Sequence, residues 1–217
     1  GFIEMADVES AQRAQVISLI VEVEQRRFYW IQLNQLQNLD QRGIILEVSK
    51  TPKALHSLIT LSIYKIGTHL SQENDQQTLA IRSGSRECLL HIQQYGDASD
   101  QSELVNANYS KVLVIAINTA SGSGEEEDDE IFEGLNSIFQ FLGYLIQGRN
   151  YSATFQPQPL LARRSNEQIE EEGGNEEIDS QLINKGKGSF WSIKNNANGA
   201  KGWILNYFIE QSNQRPG

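Results

Sequence analysis

The amino-acid sequence predicts one α+β or α/β domain spanning residues 1–217, in which a mixed β-sheet of about five to seven strands is packed by two or three helices. Three observations predict this class. Residues 111–118 contain a continuous apolar run, which is typical of a strand buried on both faces. A stripe of apolar residues at helical spacing follows this run. Two shorter apolar runs, at residues 78–82 and 86–92, flank a Ser-Gly pair and have the pattern of a β-hairpin.

The central strand of the sheet is predicted at residues 111–118. Six consecutive residues, from Val112 to Ile117, are apolar and show no alternation with polar ones. A strand with one face in water would alternate, so this run is expected in the middle of the sheet. Small, turn-forming residues from Asn118 to Gly124 end the run.

A helix is predicted after this loop, because the apolar period changes there from continuous to helical. The apolar side chains of its buried face are spaced four and three residues apart: Ile131, Leu135, Ile138, Leu142 and Leu145. Gly148 stands where a helix often ends with a left-handed residue. Gly134 and Gly143 each cost about 1 kcal/mol relative to Ala inside a helix, so we expect the helix to approach the sheet closely at these positions.

The remaining elements are predicted from local signals. Helices are expected at residues 7–27 and 51–70, and the second of these begins at a Thr-Pro cap. Residues 163–180 are rich in Glu and Gly and are expected to form a mobile acidic loop, with a short helix at residues 176–184 as an alternative for its end. Residues 185–210 are basic and aromatic around an Asn/Gly turn, so a C-terminal hairpin is expected there, with a terminal helix from Gly202 onward as the alternative for its second strand.

Charge is distributed unevenly along the chain, whose formal net charge is −10. Residues 1–120 carry 13 acidic and 10 basic residues, residues 121–184 carry 14 and 3, and residues 185–217 carry 1 and 5. Opposite local charges of this kind either steer separate partners or attract each other. The basic end is therefore also a candidate to dock on the chain's own acidic segments.

The loop at residues 118–130 lies between the predicted strand and helix, where α/β proteins often bind phosphate. Six consecutive acidic residues from Glu125 to Glu130 would repel an anion there, and no Walker-type Lys follows. A divalent cation is the ligand that this loop would accept, with Glu126, Asp128 and Asp129 as its candidate ligands. A solvated acidic run without a ligand is the interpretation that we favour.

The C-terminal segment has the residue types of a binding surface. Lysines are interleaved with aromatic side chains, and the candidate partner-binding residues are Lys185, Lys187, Trp191, Lys194 and Trp203. Such residues bind phosphates and stack on bases, which suggests a nucleic-acid-binding module at residues 185–207. Large aromatic side chains are more often buried, so we favour a hairpin whose rings complete the core and whose lysines remain in water.

No catalytic constellation is recognisable in the sequence. His56 and His69 are thirteen residues apart, which is not the spacing of a helical metal site, and His91 has no identifiable catalytic partner. Cys88 adjoins two leucines and is expected to be a small buried residue rather than a nucleophile.

These observations predict a non-enzymatic protein-interaction or assembly subunit with a protein partner and no required cofactor. Two alternatives stay open: an α/β enzyme with a divalent-cation site in the 118–130 loop, and a nucleic-acid-binding module. The chain has a single cysteine and no apolar run near the roughly 20 residues that cross a bilayer. We therefore expect a soluble, intracellular protein that is not inserted in a membrane.

Overall fold

The computed structural model describes residues 45–46, 50, 53–64, 72–118, 128–183 and 193–206. Of these residues 81% are helical and none belongs to a sheet, so the predicted α+β or α/β fold with a mixed sheet is wrong for this part of the chain. The helices of the described residues are Ala54–Ser62 (α1), Gln72–Tyr95 (α2), Ala98–Asn106 (α3), Tyr109–Ile117 (α4), Asp128–Gln147 (α5), Pro159–Glu171 (α6), Gly174–Gln181 (α7) and Ile193–Asn206 (α8).

The chain divides into two compact units. One comprises residues 1–107 and contains α1 to α3, and the other comprises residues 108–217 and contains α4 to α8. Each unit has its own set of buried apolar side chains. The organisation of residues 1–217 as one domain stays a prediction. The predicted helix at residues 7–27 lies outside the described residues.

The first unit contains helices where the sequence predicts a hairpin. Residues 78–92 lie within the 24-residue helix α2, so the predicted strands and Ser-Gly turn are wrong. The buried stripe of α2 has helical spacing, but most of its members are polar: Thr78, Arg82, Ser85, Leu89 and Ile92. Apolar periodicity does not reveal such a stripe. The helix predicted at residues 51–70 is confirmed for residues 54–62, where α1 packs against α2. Its N-cap is Lys53 rather than the predicted Thr51, and it ends at Ser62.

A capping box begins α3. The Asp97 carboxylate accepts hydrogen bonds from the backbone N–H groups of Ser99 and Asp100, at 2.8 and 3.1 Å. The Asp100 carboxylate in turn accepts from the Asp97 N–H at 2.8 Å. These bonds pair donors that the start of a helix leaves free, which explains why this polar segment is helical.

The predicted central strand at residues 111–118 is helix α4 instead. The run is buried as predicted, with Val112, Leu113, Val114 and Ile117 each at most 4% exposed. A helix that is apolar on all sides must be surrounded by other elements, and α4 packs against α5, α6 and α7. A short apolar run does not distinguish a buried strand from a buried helix.

Helix α5 is confirmed, and the predicted stripe is its buried face: Ile131, Leu135, Ile138, Leu142 and Leu145 are each at most 3% exposed. Gly148 follows its end with a φ of +77°. The glycines inside it allow close contacts with helices rather than with a sheet. A Cβ at Gly134 would lie 2.8 Å from Ile117 Cγ2 of α4, and one at Gly143 would lie 3.2 Å from Trp203 Nε1 of α8.

Residues 163–180 form most of α6 and α7 rather than the expected mobile acidic loop. The two helices meet at a tight turn in which Gly173 has a φ of +73°. A Cβ at Gly174 would lie 2.6 Å from Ile169 Cγ2 and 2.8 Å from Val114 Cγ2. The glycines that suggest a loop therefore serve to bring α7 close to α6 and α4.

Residues 193–206 of the predicted hairpin at residues 185–210 form helix α8, which packs on α5 and α7. Its buried residues Ile193, Ala197 and Ala200 are spaced four and three apart. Gly199 lies against α5, where an added Cβ would be 2.9 Å from Phe139 Cδ2. Small residues that suggest a turn thus permit close helix packing. The rest of the predicted hairpin lies outside the described residues.

Candidate functional site

An open groove of about 870 Å³ lies between α6, α7 and α8 in the second unit. Each helix lines it with residues spaced three and four apart, so that one face of each helix takes part. The lining residues are Arg163, Asn166, Glu167 and Glu170 from α6, Asn175, Ile178 and Asp179 from α7, and Lys201, Ile204 and Leu205 from α8. A volume of this size is typical of ligand-binding clefts.

The groove results from the arrangement of the helices. α7 packs against both α6 and α8, whereas α6 and α8 make few contacts with each other. α7 therefore forms the floor, and the other two helices form the walls. α7 is fixed from below, because Ile178 is 1% exposed and the Gln181 side-chain amide donates to the Ile117 carbonyl of α4 at 3.3 Å.

Two ion pairs border the groove. Arg163 Nε lies 2.9 Å from Glu167 Oε1 one turn along α6, and Lys201 Nζ lies 2.5 Å from Asp179 Oδ1. The second pair joins the basic end of the chain to its acidic middle, as the charge distribution suggests. Exposed pairs of this kind contribute about 0–1 kcal/mol to stability, so they shape the groove's charge more than they hold the fold.

Glu170 also lines the groove but belongs to neither of these two ion pairs. It is exposed, and no cationic side chain pairs with it within the described ranges. With three carboxylates and two cations in its lining, the groove carries net negative charge. Glu171 of α6 and Glu176 of α7 are also exposed. A cationic group is therefore the electrostatically favoured occupant.

Asn166 differs from the other lining residues because it is buried and unpaired. The residue is 6% exposed, and neither its amide nitrogen nor its amide oxygen has a hydrogen-bond partner. An unpaired buried polar group costs about 1–3 kcal/mol, and native proteins leave few of them. In Gln168, two residues further on, at least the amide nitrogen is paired, since it donates to Asn108 Oδ1 at 2.7 Å, while its amide oxygen is also buried without a hydrogen bond.

A second cavity, of about 760 Å³, lies in the first unit. Its lining includes Lys53, His56 and three acidic residues of the α3 region. Two of those acids, Asp97 and Asp100, are already engaged in the capping box of α3. None of its lining residues has a buried side-chain atom without a partner. The groove of the second unit is therefore the stronger candidate site.

The structure places two of the five predicted partner-binding residues, and neither lines the groove. Lys194 is exposed near the start of α8. Trp203 is half-buried, and its ring centroid lies 6.3 Å from that of Phe139 in α5. The other three, Lys185, Lys187 and Trp191, lie outside the described residues. On α8 the groove is lined by a different face of the helix, which carries Lys201, Ile204 and Leu205.

The side chains of the predicted cation ligands lie outside the part of the chain that the structure describes. Asp128 and Asp129 are the first residues of α5, and Glu126 lies outside the described ranges. Within those ranges, no group of three His, Cys, Asp or Glu side chains is placed to hold a metal ion. A divalent-cation site in this loop stays a prediction.

The other reactive residue types have structural surroundings. Cys88 is fully buried, as predicted for a small core residue. His56 is exposed on α1, and His91 stacks on Tyr95 with ring centroids 5.8 Å apart. His69 lies outside the described residues.

Sequence reasoning misses Asn166, Glu170 and Leu205. The i, i+3, i+4 and i+7 spacing of the α6 lining residues is present in the sequence, but no apolar residue marks it. The surrounding Glu and Gly residues have the composition of a loop. The signal that could have located the site is the Pro at the first position of α6, which favours a helix start there.

Comparisons with protein-family models, with curated proteins and with solved structures found no match. Among the helices that the structure describes, none combines the length and the apolar character needed to span a bilayer. The class of this protein is therefore defined by its geometry alone. The second unit is a five-helix arrangement, as far as the described residues show, with an acidic groove and an unpaired buried amide.

Proposed function

We propose that this chain is a non-enzymatic interaction or assembly subunit that binds a segment of a protein partner in the groove between α6, α7 and α8. One observation carries the proposal: the buried Asn166 amide lines the groove and has no partner within the described residues. A partner segment that supplies a donor and an acceptor would satisfy both amide atoms. Binding would then recover a free-energy cost that the unbound chain bears.

The apolar part of the groove supports the same function. Ile178 and Ile204 are buried beside it, while Leu205 is 57% exposed at its rim. Protein interfaces combine an apolar centre with a polar, solvent-accessible rim. Covering the Leu205 side chain would contribute about 25 cal/mol per Å² of apolar surface removed from water.

A nucleic acid is a poorer occupant of this groove than a protein segment. Glu170 is unpaired, and Lys201 is already paired with Asp179, so phosphate groups would meet net repulsion. An intracellular location belongs to the proposal, because a single cysteine is more typical of a reducing compartment.

The proposal is tested by site-specific photo-crosslinking in extracts of the native source. A photoreactive p-benzoylphenylalanine replaces Leu205 at the groove rim in one variant and Leu160, at the start of α6 and outside the groove, in another. We expect a covalent adduct with a discrete protein from position 205 only. Leu160 is 81% exposed and Leu205 is 57% exposed, so labelling by exposure alone would favour position 160.

Two further variants link the adduct to the groove. Asn166→Leu and Glu170→Lys, each combined with the photoreactive residue at position 205, should lose the adduct. Equal labelling at positions 160 and 205, or no protein adduct at position 205, would contradict the proposed function.

A further inference from the structure

From the groove chemistry we infer that the bound segment is a basic peptide in extended conformation, whose main-chain peptide unit pairs with Asn166 and whose Lys or Arg side chain pairs with Glu170. The inference rests on the proposed function and specifies the ligand of the same groove. Three features of the described residues carry it: the two unpaired amide atoms of Asn166, the unpaired carboxylate of Glu170, and the apolar rim at Leu205.

The amide of Asn166 selects the kind of group that satisfies it. Its nitrogen donates and its oxygen accepts, and both are unpaired. A peptide unit of a bound chain offers its C=O group as an acceptor and the N–H group of the next residue as a donor. The separation of these two groups is similar to that of the two Asn amide atoms. A polyamine or a free guanidinium only donates, so it would leave the Asn166 nitrogen without a partner. A phosphate only accepts, and it would leave the oxygen unpaired.

The same requirement sets the backbone conformation of the bound segment. In a helix, the main-chain N–H and C=O groups are already paired within the segment. In an extended segment they are free to bond to the receptor, as in strand-like peptide recognition. The Asn166 atoms are closed to water in the unbound chain, so the amide must turn toward the groove as the peptide enters. The terminal torsion of Asn has broad minima, which makes that rotation inexpensive.

The charge of the groove selects the side chain. Arg163 and Lys201 are neutralised by Glu167 and Asp179, which leaves Glu170 to receive a cation. Asn166 and Glu170 are four residues apart on α6 and lie on the same face, where Cβ atoms at this spacing are about 5–6 Å apart. An extended chain advances about 3.3 Å per residue. The basic residue is therefore expected one or two positions from the peptide unit that pairs with Asn166.

The binding test uses the full chain and synthetic peptides of about twelve residues that share the same leucines and glycines. Their remaining positions are all Lys, all Gln or all Glu, and affinity is measured by fluorescence anisotropy. We expect the basic peptide to bind roughly tenfold more tightly than the neutral one, and the acidic one not to bind. Glu170→Lys should weaken the basic peptide roughly tenfold, whereas Glu171→Lys, the same charge change on an exposed residue outside the groove lining, should change it less than about twofold.

The peptide unit is tested by methylating the backbone nitrogens of the basic peptide one at a time. Methylation at one position should weaken binding to the unmodified chain roughly tenfold, and the same methylation should have no effect on Asn166→Leu, since the two changes remove one interaction. Asn166→Leu also replaces an unpaired polar group with an apolar one of similar shape. Its melting temperature should therefore rise, by roughly 2–6 °C for a chain of this size.

Each contrary outcome has a definite meaning. If the neutral or acidic peptide binds as tightly as the basic one, if no single methylation depends on Asn166, or if Asn166→Leu melts at a lower temperature, the inferred ligand is wrong. If spermine binds as tightly as the basic peptide with the same dependence on Glu170, the groove recognises a cation and not a peptide. If an adduct forms at position 205 and any of these results is also found, the inferred ligand is wrong but the proposed function is retained. If no adduct forms at position 205, the proposed function itself is wrong.

Discussion

Helices α5 and α6 pack against each other in the second unit and bury opposite kinds of side chain. The buried face of α5 is almost entirely apolar: Ile131, Leu135, Ile138, Phe141, Leu142 and Leu145. The buried residues of α6 are mostly small or polar: Ala162, Ser165, Asn166, Gln168 and Ile169. One helix of the unit thus buries apolar side chains and its neighbour buries small and polar ones, and only under the proposed function does the second helix serve recognition. α5 contributes apolar burial, while α6 holds buried polar groups that cost stability and lie beside or at the groove.

The polar face of α6 is only partly satisfied. Gln168 bonds to Asn108, but the Ser165 hydroxyl and both amide atoms of Asn166 have no partner. Replacing unpaired polar groups of this kind with apolar ones is often neutral or stabilising. The sequence keeps them on α6 and not on α5, where the only described buried polar residue is Ser137.

Truncating a buried leucine of α5 should cost far more stability than truncating an exposed leucine of α6. Leu135→Ala removes a side chain that is 0% exposed in α5 and should lower the free energy of unfolding by about 2–5 kcal/mol, because it leaves a cavity in the core. Urea denaturation measures the change. Leu160→Ala is the matched control on α6, and its side chain is 81% exposed, so its effect should stay within about 0.5 kcal/mol. Similar losses for both variants would refute the assignment of the core to α5.

The contrast between the two helices also explains what the sequence predicts and what it does not. The stripe of α5 is predicted residue by residue, because apolar side chains occupy every buried position. In α2 the buried positions hold Thr78, Arg82 and Ser85, and the Ser-Gly pair beside them has the local chemistry of a turn. The helix forms there because packing against α1 overrides local preference. α4 is predicted to be buried and is buried, but its short apolar run fits either type of element.

Tyr109 of α4 packs its ring edge-on against Phe141 of α5, with the ring centroids 5.3 Å apart. Burial raises the pKa of the Tyr109 hydroxyl well above its usual range, and its hydrogen bond to Ser137 offsets only part of that shift. In the unfolded chain a tyrosine loses its proton near pH 10. The folded chain therefore holds one more proton than the unfolded chain above that pH, and stability falls by about 1.4 kcal/mol per pH unit from this group.

Urea denaturation of the unmodified chain and of Tyr109→Phe between about pH 9 and pH 11 measures this effect. The variant should lose stability less steeply with rising pH, because Phe does not ionise. The other tyrosines titrate in both proteins and cancel in the comparison. Parallel pH profiles would contradict the buried, protonated state of Tyr109.

The groove could not be predicted from the sequence for a physical reason. Its residues come from three helices, and the α6 and α7 segments are acidic and glycine-rich. In the sequence, Gly173 and Gly174 suggest a flexible segment. In the fold, Gly173 permits a left-handed turn and Gly174 permits a close contact with Ile169. The charge asymmetry gave a partial signal, because Lys201 of the basic end does pair with Asp179 of the acidic middle. No local pattern reports that Asn166 is left unpaired.

The same serine-to-alanine substitution on the two helices should give small changes in stability that differ, with a loss on α5 and no loss on α6. Ser165 of α6 is 0% exposed with an unpaired hydroxyl, so Ser165→Ala should leave stability unchanged or raise it by up to about 1 kcal/mol, aided by the better helix propensity of Ala. Ser137 of α5 bonds to Tyr109, so Ser137→Ala removes a buried hydrogen bond and should cost about 1 kcal/mol. Thermal and urea denaturation measure both. An equal loss for the two variants would mean that the α6 hydroxyl is as well paired as that of α5, and the contrast between a satisfied buried face on α5 and an unsatisfied one on α6 would not hold.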